Sequence, residues 1–380
     1  MKPPYRVAIM SNAAYSVIHF RLPLIEELVR QGCAVDVLAP TWSAEERARV
    51  EALSARCLPY PLDRRSMHPM HHLRVLLALR KLFRENAYDA LLTSTAQPNV
   101  WGTLAAAWAG IPRRVVMVEG MGYAFTQCGP NTRSVRQLLL GWMLSLLYRT
   151  AFRAAHRVIV LNADDAQELQ QRCGLAPQSI LLLGPIGVPL DQWPMHPPHT
   201  QPITFTMVAR LLREKGVLEF LAAARQVKKK YPATRFWLLG PLDDNPGALN
   251  EHDLQPYVQD GTVEWPGSVD VRPWLAQTSV FVLPSYYREG VPRSTQEAMA
   301  MGRPVITTDA PGCRETVIHG GNGFLVPPRD TQALAQAMLR FVEGPQWIEP
   351  MGRESRRLAE ERFDVRRANA VLVRALIPGE

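Results

Sequence analysis

The sequence predicts an α/β protein built from two doubly wound, Rossmann-like parallel-sheet halves. Its 380 residues exceed the usual size of a single hydrophobic core. Short apolar runs alternate with segments of helical periodicity along the chain, which is typical of parallel sheets covered by helices. Five prolines within residues 188–202 interrupt this alternation, which restarts beyond them, so the chain divides there into two halves.

The first half opens with a strand–loop–helix–strand unit. The apolar run at 6–10 predicts a buried parallel strand, and the periodic segment at 21–32 predicts a helix that stops at Gly32. A second strand is expected at 34–40. Further strands and helices of this half are predicted at 89–94, 98–109, 114–120, 134–155, 157–162 and from Asp164 onward.

The second half repeats this pattern after the prolines. Its first elements are a strand at 204–210, a helix at 216–231 and a strand at 235–240. Later elements are predicted at 263–267, 279–285, 293–301, 303–309 and 323–328, all of them strands except the helix at 293–301. We therefore expect domains at 1–187 and 203–350, a linker at 188–202, and a helical C-terminal stretch at 351–380 that crosses back onto the first domain.

The composition of the chain favours an anionic partner. Lys and Arg number 43 against 35 Asp and Glu, which gives a net charge of +8 and a pI near 9.4. Nucleic acid, an acidic membrane surface or a phosphorylated substrate would suit this charge. The alternative is that the charge only keeps the protein soluble. Nucleic acid is the least favoured, because the sequence holds no basic block with interleaved aromatic residues. Five scattered cysteines indicate reduced thiols in a cytoplasmic protein.

One apolar stretch bears on membrane contact. The first residues do not resemble a signal peptide, and no segment reaches the roughly 18 apolar residues of a membrane-spanning helix. The nearest candidate, 137–148, contains a tryptophan and is flanked by Arg133, Arg136, Arg149 and Arg153. It is either a basic helix that lies on an anionic bilayer or a core helix whose arginines extend to solvent.

Two acids flank a predicted helix start in the second half. Glu289 lies in the loop and Glu297 in the first turn of a helix that begins near Pro292 or Arg293. Free N–H groups at a helix start suit a phosphate, and carboxylates beside it suit hydroxyl groups of a sugar or ribose. A capping box formed by Ser294 and Glu297 is the structural alternative, but it leaves Glu289 unexplained.

Two cations follow the first strand of the same half. Arg210 ends the strand, and Lys215 precedes Gly216 and the next helix. A planar guanidinium and a mobile ammonium together match a diphosphate. A solvated basic loop is the alternative, and it is disfavoured because the two acids occur in the same half.

These motifs resemble those of retaining GT-B glycosyltransferases of family 4, which share an E-x7-E spacing of two acids. The resemblance rests on ARLLREKG (209–216), WLLG (237–240) and the long run at 279–328. REGVPRS, GCRETV and EGMGYAF are most similar to a bacterial subgroup that extends undecaprenyl-diphosphate-linked sugars and includes N-acetylgalactosaminyltransferases. The resemblance implies two Rossmann-like domains that face a central cleft, with the acceptor on the first and the nucleotide sugar on the second.

The resemblance also implies roles for individual residues. Glu297 would bind the ribose hydroxyls and Glu289 the hydroxyls of the transferred sugar. Arg210 and Lys215 would neutralise the leaving diphosphate. The nucleotide sugar would also meet the backbone of Gly290, Val291, Pro292 and Arg293 and, at the base, Gly267, Ser268 and Val269. The leaving phosphate would take the acceptor proton, so that neither a metal nor another cofactor is expected.

The acceptor side departs from the family pattern. Many members have a glycine-rich loop after the first strand, whereas this chain has SNAAYSV, and Glu119 stands where many have a histidine. Glu119 either orients the acceptor or is a strand-end acid without a role. The basic segment 64–72 is a further candidate on this side. The others are Ser11, Asn12, Gly120, Gly122 and Asn162.

The sequence thus predicts transfer of a hexose or N-acetylhexosamine from a UDP-sugar to a lipid-diphosphate-linked saccharide, in O-antigen, capsule or glycan assembly. The enzyme would lie at the inner face of the cytoplasmic membrane. A sugar-nucleotide 2-epimerase, a phosphorylase or a non-catalytic sugar-nucleotide-binding protein are the alternatives on this fold. A dinucleotide dehydrogenase is disfavoured, because neither half carries G-x-G-x-x-G after its first strand.

Overall fold

The computed structural model of the protein describes residues 3–63, 66, 68–122, 125–126, 135–243, 245 and 247–378. Within the helix at 135–153 the side chains of residues 135–138 and 140 are not described. The predictions that fall on Arg64, Arg65, Met67 and Arg133, and on the side chain of Arg136, lie outside these residues.

The chain divides into two compact units. The first comprises Met1–Gly120, Val135–Ile186 and Arg366–Glu380, and the second comprises Met121–Ser134 and Gly187–Val365. The proline-rich residues 188–202 belong to the second unit, and the chain between Leu182 and Thr204 forms neither a helix nor a regular strand.

The first unit contains a parallel sheet of seven strands in the order β3-β2-β1-β4-β5-β6-β7. The strands are β1 (Arg6–Met10), β2 (Ala34–Ala39), β3 (Arg56–Pro59), β4 (Ala90–Ser94), β5 (Arg113–Val118), β6 (Arg157–Val160) and β7 (Ile180–Leu182). The helices between them are α1 (Ala14–Phe20), α2 (Leu22–Arg30), α3 (Ala44–Glu51), α4 (Pro69–Asn86), α5 (Thr103–Ala109), α6 (Val135–Arg153) and α7 (Ala163–Cys173).

The second unit contains a parallel sheet of six strands in the order β10-β9-β8-β11-β12-β13. Its strands are β8 (Thr204–Val208), β9 (Arg235–Leu239), β10 (Glu264–Gly267), β11 (Val280–Leu283), β12 (Val305–Thr308) and β13 (Gly323–Val326). Its helices are α8 (Val217–Lys230), α9 (Glu251–Gln259), α10 (Arg272–Ala276), α11 (Arg293–Ala300), α12 (Thr331–Glu343) and α13 (Ile348–Arg362). The last helix, α14 (Val365–Leu376), belongs to the first unit from Arg366 onward.

The predicted continuous C-terminal helix is two helices. Between α13 and α14, Val188 N donates to Phe363 O at 2.7 Å, and Val365 N donates to Val188 O at 3.1 Å. These bonds occupy backbone groups that a continuous helix would need for itself, so the helix stops there. The pairing of distant residues that causes the stop leaves no mark in the local sequence.

The apolar runs form strands because both faces of each sheet are covered. All five residues of β4 and all four of β11 and β12 are buried, as expected for parallel strands between helical layers. In each sheet the strand order reverses once, between β1 and β4 in the first unit and between β8 and β11 in the second. Ligands of open α/β sheets bind at such reversals, at the carboxyl ends of the strands.

Candidate active site

The central feature of the second unit is an ion pair between Lys215 and Glu289 at the strand-order reversal. Lys215 ends a 3-10 turn at Arg213–Lys215 that follows β8, and Glu289 lies in the loop after β11. The ammonium contacts Oε1 of Glu289, and the two side chains are only 14% and 11% exposed. The predicted cation and the predicted acid therefore lie together at the carboxyl end of the sheet, where ligands of such sheets bind.

The Glu289 loop is fixed by buried hydrogen bonds. Ser285 Oγ donates to Glu289 Oε1 at 3.0 Å, and the amides of Tyr286 and Tyr287 both donate to Glu214 O at 2.9 Å. Ser285 is fully buried. The two loops that carry the ion pair are thus joined through their backbones, which holds the carboxylate and the ammonium in register.

Two glycines allow the backbones around the ion pair to approach closely. Gly216 has φ +78°, and a Cβ there would lie 2.1 Å from Pro284 O. Gly312, which the sequence analysis did not single out, also has φ +78°, and its Cβ would lie 2.2 Å from Gly290 O. Both positions need the left-handed backbone and the absence of a side chain. Gly312 lies in the turn APG after β12, a composition that indicates a turn but not its contact with Gly290.

Glu297 lies in the second turn of α11, not the first turn as predicted. The helix begins at Arg293, so Glu297 is its fifth residue. Arg293 Nε donates to Glu297 Oε1 at 3.0 Å, one turn away. Burial raises the pKa of the Glu297 carboxyl above its ordinary value, and the Arg293 guanidinium opposes the rise. The alternative capping box is not formed, because Pro292 is the N-cap and no side chain caps it.

Arg293 and Gln296 tie the start of α11 to Gly187. Arg293 Nη1 donates to Gly187 O at 2.8 Å, and Gly187 N donates to Gln296 Oε1 at 3.0 Å. Gln296 Nε2 also donates to Val291 O at 3.0 Å, and its side chain is fully buried. The predicted contribution of Arg293 was its backbone, whereas the structure also uses its guanidinium to hold the carboxylate of Glu297.

Arg210 forms an ion pair with a different acid, Asp243. It follows β8, is 45% exposed, and donates through Nη1 to Asp243 Oδ2 at 2.8 Å. Asp243 follows β9 in the run PLDD and was not singled out from the sequence. The partner of Arg210 is thus a carboxylate after the neighbouring strand, and a bound anion would have to compete with it.

The residues predicted at the base pocket lie at the end of the edge strand. Gly267 is the last residue of β10 and has φ +79°, and Gly240 N donates to Gly267 O at 2.8 Å. Ser268 is exposed, and Val269 is partly buried. All three are at the carboxyl end of the sheet, on the side of β8 away from β11.

In the first unit, Glu119 follows β5 and pairs with a buried arginine. The carboxylate contacts Nη2 of Arg21, which is 2% exposed and was not singled out from the sequence. Gly120 and Gly122 have φ values of +132° and +73°, which glycine adopts readily and other residues rarely do. Gly122 belongs to the second unit, where its amide donates to Arg288 O at 3.2 Å.

The other acceptor-side candidates differ in what surrounds them. Ser11 follows β1 and is buried, with its carbonyl accepting from Tyr60 Oη at 2.7 Å, while Asn12 is partly buried. Asn162 is the N-cap of α7, where its Oδ1 accepts from Asp165 N at 2.8 Å. A capping role, which is local to the start of α7, thus accounts for Asn162.

Comparisons with known proteins decide the family. Residues 22–191 match the model of Glycosyltransferase Family 4, and residues 202–344 match Glycosyl transferases group 1. The two matches together cover most of the chain. The protein belongs to the family 4 glycosyltransferases.

Relatives of this family 4 glycosyltransferase include two named bacterial enzymes. The N,N'-diacetylbacillosaminyl-diphospho-undecaprenol alpha-1,3-N-acetylgalactosaminyltransferase of Campylobacter jejuni is 29% identical over 353 residues, which cover 89% of each chain. The UDP-Gal:alpha-D-GlcNAc-diphosphoundecaprenol alpha-1,3-galactosyltransferase of Escherichia coli is 25% identical, with 76% of each chain covered. The predicted family and activity class, a glycosyltransferase, are confirmed.

Solved structures agree on the fold of the family 4 glycosyltransferase. HepE from Anabaena, in complex with UDP and glucose, gives a TM-score of 0.75 at 18% identity, with 97% of this chain and 98% of that chain covered. Sucrose-phosphate synthase from Thermosynechococcus elongatus gives 0.74 at 20% identity, with 97% of both chains covered. The predicted class of two Rossmann-like parallel-sheet domains, the GT-B fold, is confirmed.

Proposed function

We propose that this glycosyltransferase moves a hexose or N-acetylhexosamine from a UDP-sugar to a saccharide carried on a lipid diphosphate, with retention of anomeric configuration. The observation that carries the proposal is the buried Lys215–Glu289 pair at the strand-order reversal of the second unit. The two bacterial relatives, which are named as transferases acting on diphospho-undecaprenol-linked sugars, support the choice of acceptor.

The pair provides both functions that a nucleotide sugar requires. The Lys215 ammonium would bind the diphosphate, whose charge grows as the bond between the anomeric carbon and the β-phosphate oxygen breaks. Glu289 would accept a hydrogen bond from a hydroxyl of the sugar and so hold the anomeric carbon in place. The acceptor oxygen then bonds to that carbon on the same face, and its proton passes to the leaving phosphate.

The remaining residues of the second unit would hold the nucleotide. Glu297, oriented by Arg293, would accept hydrogen bonds from the ribose hydroxyls. Arg210 would turn from Asp243 to the diphosphate and add a second cation. The amides at the start of α11 would complete the neutralisation, since the first turn of a helix has no intrahelical partners for them. With these groups the proposal requires no metal ion.

We also propose contact with an anionic membrane through the exposed face of α6. Along this helix the exposed apolar side chains Leu139, Trp142, Met143 and Leu146 recur at the spacing of one helical face. Arg149 and Arg153, toward its end, are exposed as well. This pattern supports the interpretation that the helix lies on a bilayer over that of a core helix.

A second helix of the same unit also exposes apolar side chains. In α4, Met70, Leu73 and Leu77 are exposed at intervals of one turn. Trp108, at the end of α5, is exposed with the Arg80 guanidinium 4.0 Å from its ring centroid. None of the helices, as far as they are described, is both long and apolar enough to cross a membrane. The proposed location is the inner face of the cytoplasmic membrane.

A direct assay tests the transfer. The purified protein is incubated with a panel of UDP-sugars and a lipid-diphosphate-linked saccharide, and the mass of the lipid product is measured. An increase by one hexose or N-acetylhexosamine supports the proposal. Conversion of the UDP-sugar in the absence of acceptor would indicate an epimerase. Protection by UDP against thermal unfolding, without product from any acceptor, would indicate a binding protein and contradict the proposal.

A further inference from the structure

The Arg21–Glu119 pair of the first unit has the geometry of a device that positions a carboxylate. Arg21 lies between α1 and α2, and its guanidinium is enclosed: Nη1 donates to Phe20 O at 3.1 Å, and Nη2 contacts Met117 Sδ at 3.2 Å. Glu119, by contrast, is 23% exposed. The cation is buried while the acid is open on one side, so the acid can still reach a ligand.

The surroundings of the pair contain further polar atoms without partners. Arg21 and Asn99 are only 2% and 1% exposed. Among the described residues, Arg21 Nε and Asn99 Oδ1 are buried atoms that have no hydrogen-bond partner. Asn99 Nδ2 donates to Met117 O at 2.8 Å, so both residues bond to Met117. Buried polar atoms are nearly always paired, so an unpaired one in a native structure needs an explanation, such as a catalytic role or a bound water or ion.

The backbone beside Asn99 is unusual as well. Pro98–Gly102 forms a π-helical turn, and Thr95, which accepts at its carbonyl from Asn99 N at 3.0 Å, has φ +72°. A β-branched residue in that region is strained, and such strain occurs mainly at functional sites. Thr95 follows β4 and Glu119 follows β5, next to the strand-order reversal of this sheet.

We propose that Arg21 is a positioning residue for the transfer reaction. It holds the Glu119 carboxylate so that this group accepts a hydrogen bond from an acceptor hydroxyl next to the one that attacks. The proposal rests on the proposed function, because it requires a saccharide acceptor on the first unit. A buried ion pair by itself adds little stability over apolar side chains, so the pair is better explained by orientation than by stability.

A double-mutant cycle tests this role. The variants are Arg21→Met, Glu119→Gln and their combination, and the readouts are kcat and the KM for the lipid-linked acceptor. Glu119→Gln is expected to lower kcat/KM for the acceptor by about a hundredfold, the cost of a misplaced reactant. Because Arg21 acts through Glu119, Arg21→Met should cause a similar loss alone and little further loss in the double variant. Arg21→Lys should restore part of the activity.

Controls separate this role from a structural one. UDP protection against thermal unfolding should remain unchanged in all variants, because the nucleotide site belongs to the second unit. Arg56→Met, which breaks the Arg56–Asp36 pair elsewhere in the same sheet, should leave the acceptor KM unchanged. Losses that multiply in the double variant, or an Arg21→Met protein that is less stable but transfers normally, would overturn the proposal. An inactive wild-type protein would instead contradict the proposed function.

Discussion

Lys215 and Glu289 join the loops that follow two adjacent strands, β8 and β11, through one mostly buried ion pair. The Lys215 ammonium also lies 5.3 Å from the ring centroid of Tyr287, and Ser285 Oγ donates to the same Glu289 oxygen, Oε1, that the ammonium contacts. The pair is therefore enclosed by its own loops before any ligand binds. When a nucleotide sugar binds, Lys215 and Glu289 would each contact the ligand, so that two contacts replace the one between them.

Removal of either member of the pair should eliminate most transfer. Lys215→Ala removes the cation proposed to neutralise the leaving diphosphate, and Glu289→Ala removes the carboxylate proposed to hold the donor sugar. We expect each variant to lower kcat by about a hundredfold or more, measured as product formed from UDP-sugar and lipid-linked acceptor. Near-normal turnover in both variants would contradict the assigned roles.

A neutral double variant separates activity from stability. Each single variant leaves a mostly buried charge without its partner, which costs about 3 kcal/mol of folding free energy. Lys215→Met combined with Glu289→Gln removes both charges and should recover much of that loss in chemical denaturation. The double variant should still be inactive. Activity that returns with stability would show that the pair only supports the fold.

Glu297 should make nucleotide binding depend on pH. Its folded-state pKa is raised by burial above the ordinary 4.5, so the protonated form persists to higher pH than in the unfolded chain. Because the ribose hydroxyls need an ionised acceptor, UDP affinity measured by calorimetry should begin to fall at a pH above 4.5 as the pH is lowered. The Glu297→Gln variant should bind more weakly at neutral pH and lose this pH dependence.

The raised pKa of Glu297 affects folding stability in the opposite direction to nucleotide binding: a lower pH weakens binding but favours the folded state. A raised folded-state pKa means that ionisation of Glu297 costs folding free energy above that pKa, whereas the protonated form carries no such cost. Glu297→Gln should therefore unfold at a higher denaturant concentration than the wild type at neutral pH. Below pH 4.5 the difference should disappear. A variant less stable than the wild type at neutral pH would show that the Arg293 contact outweighs burial.

Gly312 should be intolerant of any side chain. Gly312→Ala places a Cβ 2.2 Å from Gly290 O and should displace the loop that carries Glu289, so that UDP affinity and turnover both fall. Gly320→Ala is the matched control, since Gly320 has φ +77° and nothing within 4 Å of its Cβ. Both substitutions cost about 1 kcal/mol for the left-handed backbone. Only Gly312→Ala should lose activity, and equal activity in both would contradict the close packing.

The exposed face of α6 should determine membrane binding. Trp142→Glu and Leu146→Glu should each weaken cosedimentation with vesicles that contain phosphatidylglycerol by about tenfold, the value of one buried apolar side chain. Ile318→Glu, an exposed apolar residue of the second unit, should have no effect. Unchanged binding by both α6 variants would refute this surface, while activity on a soluble acceptor analogue should persist in each.

Most of the strands and the fold class could be anticipated because they depend on local pattern, whereas the short strands β3 and β7 were not predicted, and neither was the contact between Lys215 and Glu289, which are 74 positions apart. Apolar runs become buried strands, and the ends of neighbouring strands meet. The contacts Arg21–Glu119 and Arg210–Asp243 join residues 98 and 33 positions apart, and no local pattern indicates them. The helix starts where the sequence predicts, but Glu297 is its fifth residue and so lies in the second turn, not the first.

The most direct test of the central claim is a crystal structure with the UDP-sugar that supports transfer. We predict that Lys215 Nζ lies about 2.8 Å from an oxygen of the β-phosphate and that Glu289 accepts a hydrogen bond from a hydroxyl of the sugar. The Lys215–Glu289 contact would then be lengthened or shared with the ligand. A diphosphate bound away from Lys215, with the ion pair intact, would contradict the account.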